Sequence, residues 1–267
     1  MIEGFFDDRV DFMNSAGVRC SPLESIVPIG FYDPHVDLFH PFGTGIFICT
    51  RGLVCTARHV FEFEPQFMRQ MSHLSPDAYL GIVQYYANHT ANVRRIVNVH
   101  AHNQFDLAIA VCEPLRNLKS GETFHNAAQA LSRRQIAIGE PVHQYSYPNP
   151  IIHHDSKKLD TIMIPLSTAG IVIDWLPSGM GSLFPSPAYV IGGYIGAGSS
   201  GGPVLDRTGA AVAVCSRGCE GGNYYYAIPI RESAEIIMSS VGLSTGPVVV
   251  APTIQQMASR KLISFVD

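Results

Sequence analysis

The fold is decided by the stretch Gly198-Ser199-Ser200-Gly201-Gly202-Pro203. A serine hydroxyl is a weak nucleophile at neutral pH, so it needs an imidazole nearby to take its proton. Two stretches far upstream supply the remaining groups, Thr56-Ala57-Arg58-His59 and Phe105-Asp106-Leu107-Ala108. We predict Ser200 as nucleophile, His59 as its base, and Asp106 as the buried carboxylate that holds the imidazole in one tautomer.

The glycines around Ser200 have a predicted role of their own. They allow a tight turn and let backbone N–H groups point at a developing oxyanion. The predicted donors are the amides of Gly198 and Ser200. Alone, a Gly-Ser stretch is more often a turn or flexible loop, and a single histidine or aspartate can be structural. The conjunction of three motifs in one order favours catalysis.

These motifs, their order and their spacing resemble the chymotrypsin/trypsin-fold serine peptidase family, in particular its HtrA-like bacterial branch with a trypsin-like peptidase domain. In addition, Gly43-Thr44-Gly45-Ile46-Phe47-Ile48 resembles the strand before the histidine hairpin, and Gly139-Glu140-Pro141-Val142 resembles the opening of the second barrel. The resemblance implies an all-β fold of two packed antiparallel six-stranded β-barrels with a C-terminal helix. It also implies a serine endopeptidase that works through an acyl-enzyme.

Two other hydrolase classes share parts of this pattern. Gly198 to Gly202 fits the G-x-S-x-G elbow of the α/β-hydrolases, but that fold needs a histidine after the serine, and the last histidine here is His154. A subtilisin arrangement needs an aspartate before the histidine. Asp33 and Asp37 precede His59 but lie in no matching motif, so chain order excludes the first class and disfavours the second.

The predicted domain organisation follows the strand pattern. Short runs rich in Val, Ile, Phe and Tyr recur between turn residues and predict antiparallel barrels, with the Arg51-Gly52 pair as the tight turn that leads to His59. We predict a helical turn in Asn126–Leu131 and a terminal helix over Arg231–Val241. The predicted segments are an N-terminal extension (1–24), the first barrel (25–115), a linker (116–136), the second barrel with its helix (137–242) and a C-terminal tail (243–267).

Composition restricts the partners. The net charge of −4 leaves no basic field for a nucleic acid, so a polypeptide is the expected substrate. The acidic N-terminal residues do not resemble a secretory signal, and no apolar run is long enough to span a membrane, so no membrane association is expected. We expect no cofactor and no metal, because His100-Ala101-His102 and His153-His154 lack partners at ligand spacing and are predicted to be surface histidines.

Six cysteines are present, and their places differ from those of secreted relatives, which carry a cysteine directly after the catalytic histidine where this chain has Val60. Cysteines in apolar strands behave as small buried hydrophobes. We therefore expect reduced thiols and a cytoplasmic location. The cysteines are Cys20, Cys49, Cys55, Cys112, Cys215 and Cys219.

The resemblance also implies where substrate binds. Tyr194, six positions before Ser200, would lie at the base of the primary specificity pocket, which disfavours cleavage after Arg or Lys. Ser216-Arg217-Gly218 would pair with the substrate backbone, with Ser216 also supporting Asp106. Tyr224, Tyr225 and Tyr226 would form the adjoining wall. Bulky rings there predict a small or medium apolar side chain at the P1 position of the substrate. Alternatively, these tyrosines belong to the barrel core.

Activation is the last expectation from the sequence. Digestive relatives pair a new amino terminus with an aspartate directly before the catalytic serine, where this chain has Ser199. The enzyme is therefore expected to need no proteolytic activation, or to be gated by a regulatory partner or by self-association through its terminal extensions. The alternative function is a catalytically silent or partner-gated peptide-binding protein on the same fold.

Overall fold

The computed structural model describes residues 14–18, 21–63, 67, 69, 71–86, 91–115, 123, 126–155, 158–181, 184–218, 223–239, 241–243 and 249–266. Within these residues, short 3₁₀ helices lie at Pro22–Glu24, Arg58–Phe61 and Ile230–Glu235, and the helix α1 lies at Ile254–Ser259. The strands are β1 (Ile26–Asp33), β2 (Leu38–Phe47), β3 (Leu53–Thr56), β4 (Tyr79–Tyr85), β5 (Ala91–Ala101), β6 (Ala108–Cys112), β7 (Leu131–Ser132), β8 (Pro141–Ser146), β9 (Ile151–Asp155), β10 (Lys158–Ile162), β11 (Leu166–Leu176), β12 (Ala188–Gly192), β13 (Pro203–Leu205), β14 (Ala211–Gly218), β15 (Tyr224–Pro229), β16 (Gly242–Leu243), β17 (Val249–Val250) and β18 (Phe265–Val266).

The first six strands close into a barrel in the order β1-β2-β3-β6-β5-β4, and every pairing in it is antiparallel. Branched apolar side chains fill its interior, where Ile29, Ile46 and Ile109 have no exposed surface. Burying each contributes on the order of 2 kcal/mol. The hairpin from β2 to β3 turns at Gly52, whose φ of +99° favours glycine. The predicted Arg51-Gly52 turn is therefore confirmed.

A second ring of strands, β13-β8-β11-β12-β15-β14, is closed by antiparallel pairing of β13 with β14. The prediction of two antiparallel six-stranded barrels is confirmed. β7 and β18 extend this sheet beyond β14 with parallel pairings that the sequence pattern did not indicate. β7 lies in the predicted linker, so the linker is partly built into the second barrel.

The helical turn predicted in residues 126–131 is absent, and the helix predicted over Arg231–Val241 is present only in its first part, as a 3₁₀ helix. Residues 126–131 contain no helical turn, and Gln129 donates its amide to the Phe47 carbonyl of the first barrel. Over Arg231–Val241, the 3₁₀ helix ends at Glu235 and Ile236 is extended. Burial then alternates, with Ile236 2%, Ile237 57% and Met238 0% exposed, which is the period of a strand rather than of a helix.

The C-terminal residues also differ from the prediction of a tail outside the fold. α1 begins at a capping box in which Thr253 and Gln256 satisfy each other's backbone amides. It buries Ile254 and Met257, and β18 then pairs with β7. The terminal helix predicted for this fold is therefore α1, about twenty residues after the predicted position. None of the helices in the described part of the chain is long and apolar enough to cross a membrane.

Candidate active site

His59 lies directly after β3, at one end of the first barrel. The chain leaves β3 at Thr56 and forms the 3₁₀ helix Arg58–Phe61, which buries Val60 and leaves the His59 side chain 22% exposed. The buried neighbour holds the turn in place, while the imidazole reaches solvent. A base that must exchange protons with a substrate requires this combination.

Asp106 holds His59 through both carboxylate oxygens. Oδ1 accepts the backbone N–H of His59 at 2.9 Å, and Oδ2 lies 2.8 Å from His59 Nδ1. Burial alone would raise the pKa of Asp106, but the hydrogen bonds from His59 and Ser216 outweigh it and lower the pKa to about 2. The carboxylate is thus ionised and can only accept, so Nδ1 carries the proton and Nε2 is left as the acceptor.

Ser216 connects this pair to the predicted nucleophile. β14 carries a bulge between Cys215 and Arg217, and the bulged residue is Ser216. Its hydroxyl donates to Asp106 Oδ2, and its carbonyl accepts from Ser200 Oγ at 3.0 Å. The predicted role of Ser216 beside Asp106 fits this geometry. One chain of hydrogen bonds therefore runs from Ser200 through Ser216 and Asp106 to His59.

Ser200 and the turn that holds His59 both pack against Gly43. A Cβ placed on Gly43 would lie 2.8 Å from Val60 Cγ1 and 3.5 Å from the Ser200 carbonyl. In the described residues, the Ser200 hydroxyl donates to Ser216 and makes no hydrogen bond with His59. Attack on a substrate requires the hydroxyl to turn from that carbonyl to Nε2 of His59.

The two predicted oxyanion donors have free amides. Neither the N–H of Gly198 nor that of Ser200 has an acceptor in the described part of the chain. The carbonyls of the preceding residues are held: Asn149 N–H donates to Ala197 at 2.7 Å, and Gly202 N–H donates to Ser199 at 3.0 Å. In a trans peptide the C=O and N–H groups point to opposite sides. Each held carbonyl therefore fixes the direction of the N–H in the same peptide unit, which is that of Gly198 or Ser200.

Ser199 is 1% exposed, and its hydroxyl lies 3.0 Å from that of Ser146. This position therefore holds a neutral hydrogen bond in place of the ion pair of digestive relatives. Gly198 has a φ of +90°, and a Cβ there would lie 2.8 Å from the Tyr147 carbonyl. The turn before Ser200 thus requires glycine and is packed against the segment that follows β8.

The predicted substrate-binding residues are only partly brought together. Tyr194 is 61% exposed, so it does not form a buried pocket base as predicted. Its neighbour Ile195 lies beside the end of β14 instead, where a Cβ on Gly218 would lie 3.3 Å from Ile195 Cγ1. Arg217 and Gly218 are exposed at the end of β14, as a strand that pairs with a substrate requires.

The three tyrosines on β15 divide between two faces. The rings of Tyr224 and Tyr226 pack edge to face with centroids 5.9 Å apart, and Tyr226 also packs against Phe184. Tyr225 is 1% exposed and belongs to the barrel core, so its predicted place in a pocket wall was wrong. Strand alternation explains the difference, because neighbouring residues of a strand face opposite sides.

The remaining polar candidates carry no metal site within the described residues. His100 and His102 are each 7% exposed, so the prediction of surface histidines was wrong for this pair. The side chains of His153 and His154 lie outside the described residues. Free buried thiols are found at Cys49, Cys55, Cys112 and Cys215, whereas Cys20 and Cys219 lie outside the described residues.

Three residues of the site were missed from the sequence. Ser186 Oγ accepts the backbone N–H of Asp106 at 3.0 Å, across 80 residues of chain. Thr44 and Asn149 hold the loop that contains Ser200. Thr44 lies in a quoted motif, but no local pattern indicates that its hydroxyl contacts Gly198. Only the packing of the two barrels brings these residues to the site.

The site combines a serine, a carboxylate-bound imidazole and two free amides between two barrels, which is the arrangement of serine hydrolases of the two-barrel class. The family profile described as trypsin-like peptidase domain matches residues 43–214, and the chain belongs to this family. The solved structure of Deg5 shares the fold: it is 18% identical to this chain with a TM-score of 0.53, and the match covers 78% of this chain and 85% of Deg5.

A second solved structure shares the fold. The active form of the Rv3671c protease from M. tuberculosis is 16% identical with a TM-score of 0.51, and the match covers 92% of this chain and 87% of that protein. Identities this low support the fold alone. No curated protein matches the sequence.

Proposed function

We propose that the protein is a serine endopeptidase that cleaves polypeptides through an acyl-enzyme. Ser200 is the nucleophile, His59 is the base, and Asp106 orients His59. The observation that carries this proposal is the Asp106–His59 pair, in which the ionised carboxylate accepts from both the backbone N–H and Nδ1 of His59 and leaves Nε2 as the atom that can take a proton. Membership of the peptidase family supports the same conclusion.

The reaction follows from these positions. Ser200 Oγ attacks the scissile carbonyl carbon while His59 Nε2 takes the hydroxyl proton. The negative charge of Asp106 stabilises the imidazolium that forms, and His59 then gives the proton to the leaving amine. Water repeats the sequence on the acyl-enzyme and releases Ser200.

The amides of Gly198 and Ser200 stabilise the oxyanion. They are free of acceptors in the described part of the chain, so they need not break a hydrogen bond when the tetrahedral intermediate forms. Each donor contributes about 3 kcal/mol to the transition state. The two donors together account for several orders of magnitude in rate.

The proposed P1 preference is a small or medium apolar side chain, not Arg or Lys. It rests on Ile195, whose branched side chain lies against Gly218 and shortens the space beside the substrate strand. No carboxylate stands at Tyr194 or Ile195 to pair with a basic side chain. The rings of Tyr224 and Tyr226 supply an apolar boundary.

One observation favours the alternative, a silent or partner-gated peptide-binding protein. The Ser200 hydroxyl donates to Ser216 rather than to His59. If this arrangement persists when substrate is present, the serine is not activated. Binding of a regulatory partner or a second copy would then have to turn the hydroxyl towards His59.

Labelling with a fluorophosphonate separates the two functions, because it needs both an activated serine and a free oxyanion site. We expect the wild type to be labelled and Ser200→Ala to lose all labelling, with Ser72→Ala, an exposed serine outside the site, as matched control. Truncating the nucleophile removes about six orders of magnitude of turnover. A folded wild type that remains unlabelled would support the binding function instead.

Peptide-library cleavage then tests the specificity. Mass-spectrometric profiling of the cuts made by the wild type, with Ser200→Ala as blank, is expected to place small or medium apolar residues at P1. Cleavage mainly after Arg or Lys would contradict the role given to Ile195.

A further inference from the structure

One residue of the first barrel makes two hydrogen bonds to the loop that holds the nucleophile. Thr44 lies on β2 with no exposed surface. Its hydroxyl donates to the Gly198 carbonyl at 2.8 Å, and its backbone amide donates to the Ser200 carbonyl at 2.8 Å. Thr44 therefore holds the peptide planes that follow Gly198 and Ser200, the two residues whose amides are the proposed oxyanion donors.

The same hydroxyl also joins this loop to the segment after β8. Thr44 Oγ1 accepts the Tyr147 N–H at 3.1 Å, so its own proton is available only for Gly198. Two residues after Tyr147, the backbone N–H of Asn149 donates to the Ala197 carbonyl. Asn149 has a φ of +49°, which Asn tolerates better than most residues. The loop is thus fixed from two sides by neutral donors.

Close packing leaves the loop little room to shift. A Cβ on Gly201 would overlap Thr56 Oγ1 and the Thr44 carbonyl, and Thr56 Oγ1 itself donates to that carbonyl at 2.7 Å. A Cβ on Gly196 would lie 2.6 Å from Asn149 Nδ2. The hydroxyl–carbonyl contact of Thr44 with Gly198 is the side-chain bond that sets the plane of the peptide after Gly198.

We propose that Thr44 is a positioning residue that holds the Gly198 and Ser200 amides in the oxyanion-binding arrangement. This inference rests on the proposed peptidase function. Thr44 does not touch the substrate; it fixes the far side of each donor residue through the Gly198 and Ser200 carbonyls, while Asn149 and Gly202 hold the peptide planes of the donor amides themselves.

The test compares Thr44→Val with Thr44→Ser. Valine keeps the shape of threonine but removes the hydroxyl, whereas serine keeps the hydroxyl. With a peptide selected from the cleavage library, we expect Thr44→Val to lower kcat by on the order of tenfold to a hundredfold, less than the loss of a whole oxyanion donor, with little change in KM. Thr44→Ser should keep kcat close to the wild-type value.

Thr161→Val is the matched control. Thr161 lies on β10, and its Oγ1 donates at 2.6 Å to the carbonyl of Phe39 on β2, the strand that also carries Thr44. This bond lies away from the Ser200 loop. Thr161→Val should lower thermal stability without lowering kcat. If both valine variants lose stability and keep kcat, Thr44 is merely structural and the inference is overturned.

A second readout does not depend on activity. In a crystal structure of Thr44→Val, the peptide between Gly198 and Ser199 should turn from its present orientation, and the Gly198 residue should shift with it. An unchanged loop in that variant would overturn the inference even if the wild type proves unreactive. Failure of the proposed function is recognised separately, because it appears as an unlabelled wild type.

Discussion

Replacing Asp106 by asparagine tests the orienting role of the carboxylate, and the structure predicts which way the new amide must face. The backbone N–H of His59 is an obligatory donor to Oδ1 at 2.9 Å, so the amide oxygen of the variant must occupy that place. The amide NH₂ group then faces Nδ1 of His59. Nδ1 must become an acceptor, which moves the ring proton to Nε2, the atom that has to receive the proton of Ser200.

The expected loss in kcat/KM is about 10⁴-fold, the size found when such an imidazole is held in the wrong tautomer. At 1.36 kcal/mol for each factor of ten, this is about 5.4 kcal/mol of transition-state stabilisation. Stability should fall as well. The pKa of Asp106 is lowered from 3.8 to about 2, which corresponds to a contribution on the order of 2 kcal/mol above pH 4 that is lost as the pH falls through about 2.

The assay is cleavage of the library-selected peptide at neutral pH, with circular dichroism to check folding. Asp174→Asn is the matched control, because Asp174 is an exposed carboxylate whose one hydrogen bond within the described residues is from the neighbouring backbone amide of Trp175. We expect it to keep full activity. A folded Asp106→Asn variant that retains more than a tenth of wild-type kcat/KM would refute the orientation argument.

Two further predictions concern the specificity pocket and acid stability. Ile195→Ala should enlarge the space beside Gly218 and raise kcat/KM for substrates with larger apolar P1 residues, relative to small ones, by about tenfold or more, whereas Ile195→Leu should change the P1 preference little. Peptide-library profiling measures this preference, and an unchanged preference in Ile195→Ala would exclude Ile195 from the pocket. His102 Nδ1 accepts the amides of Gln104 and Phe105 in the turn before Asp106, and burial lowers its pKa. Protonation would break both bonds, so stability should fall with falling pH below about 6.5. His102→Asn should lessen this loss while keeping the turn, whereas His102→Leu should destabilise the turn at every pH; identical acid unfolding curves for wild type and His102→Asn would contradict the assignment.

The sequence was most informative where function depends on residues within short motifs. Ser200, His59 and Asp106 each lie in a recognisable stretch. The strand pattern predicted antiparallel barrels, and the resemblance to the trypsin-fold family implied that there are two of them. Tyr194 was misplaced because its predicted place rested on its distance in sequence from Ser200, which does not determine where a side chain points after β12 ends at Gly192. In the structure Tyr194 is exposed and Ile195 lies beside Gly218.

The contacts that sequence could not supply are those between segments far apart in the chain. Thr44 Oγ1 contacts Gly198 across 154 residues, and Ser186 contacts Asp106 across 80. Neither contact leaves a local pattern. The helix predicted over Arg231–Val241 ends early for a different reason, because its apolar residues fit both helical and strand spacing until tertiary packing chose the latter.

The neutral interior of the nucleophile loop has a physical consequence of its own. Burying an ion pair beside Ser200 would require desolvation of two charges, a cost that its attraction does not always recover. Here Ser199 bonds to Ser146, and Thr44 bonds to Gly198, each worth about 1 kcal/mol net. None of these four groups titrates between pH 2 and 10. The oxyanion arrangement should therefore hold wherever the fold holds, and the loop that carries the donors should add no pH dependence of its own to catalysis.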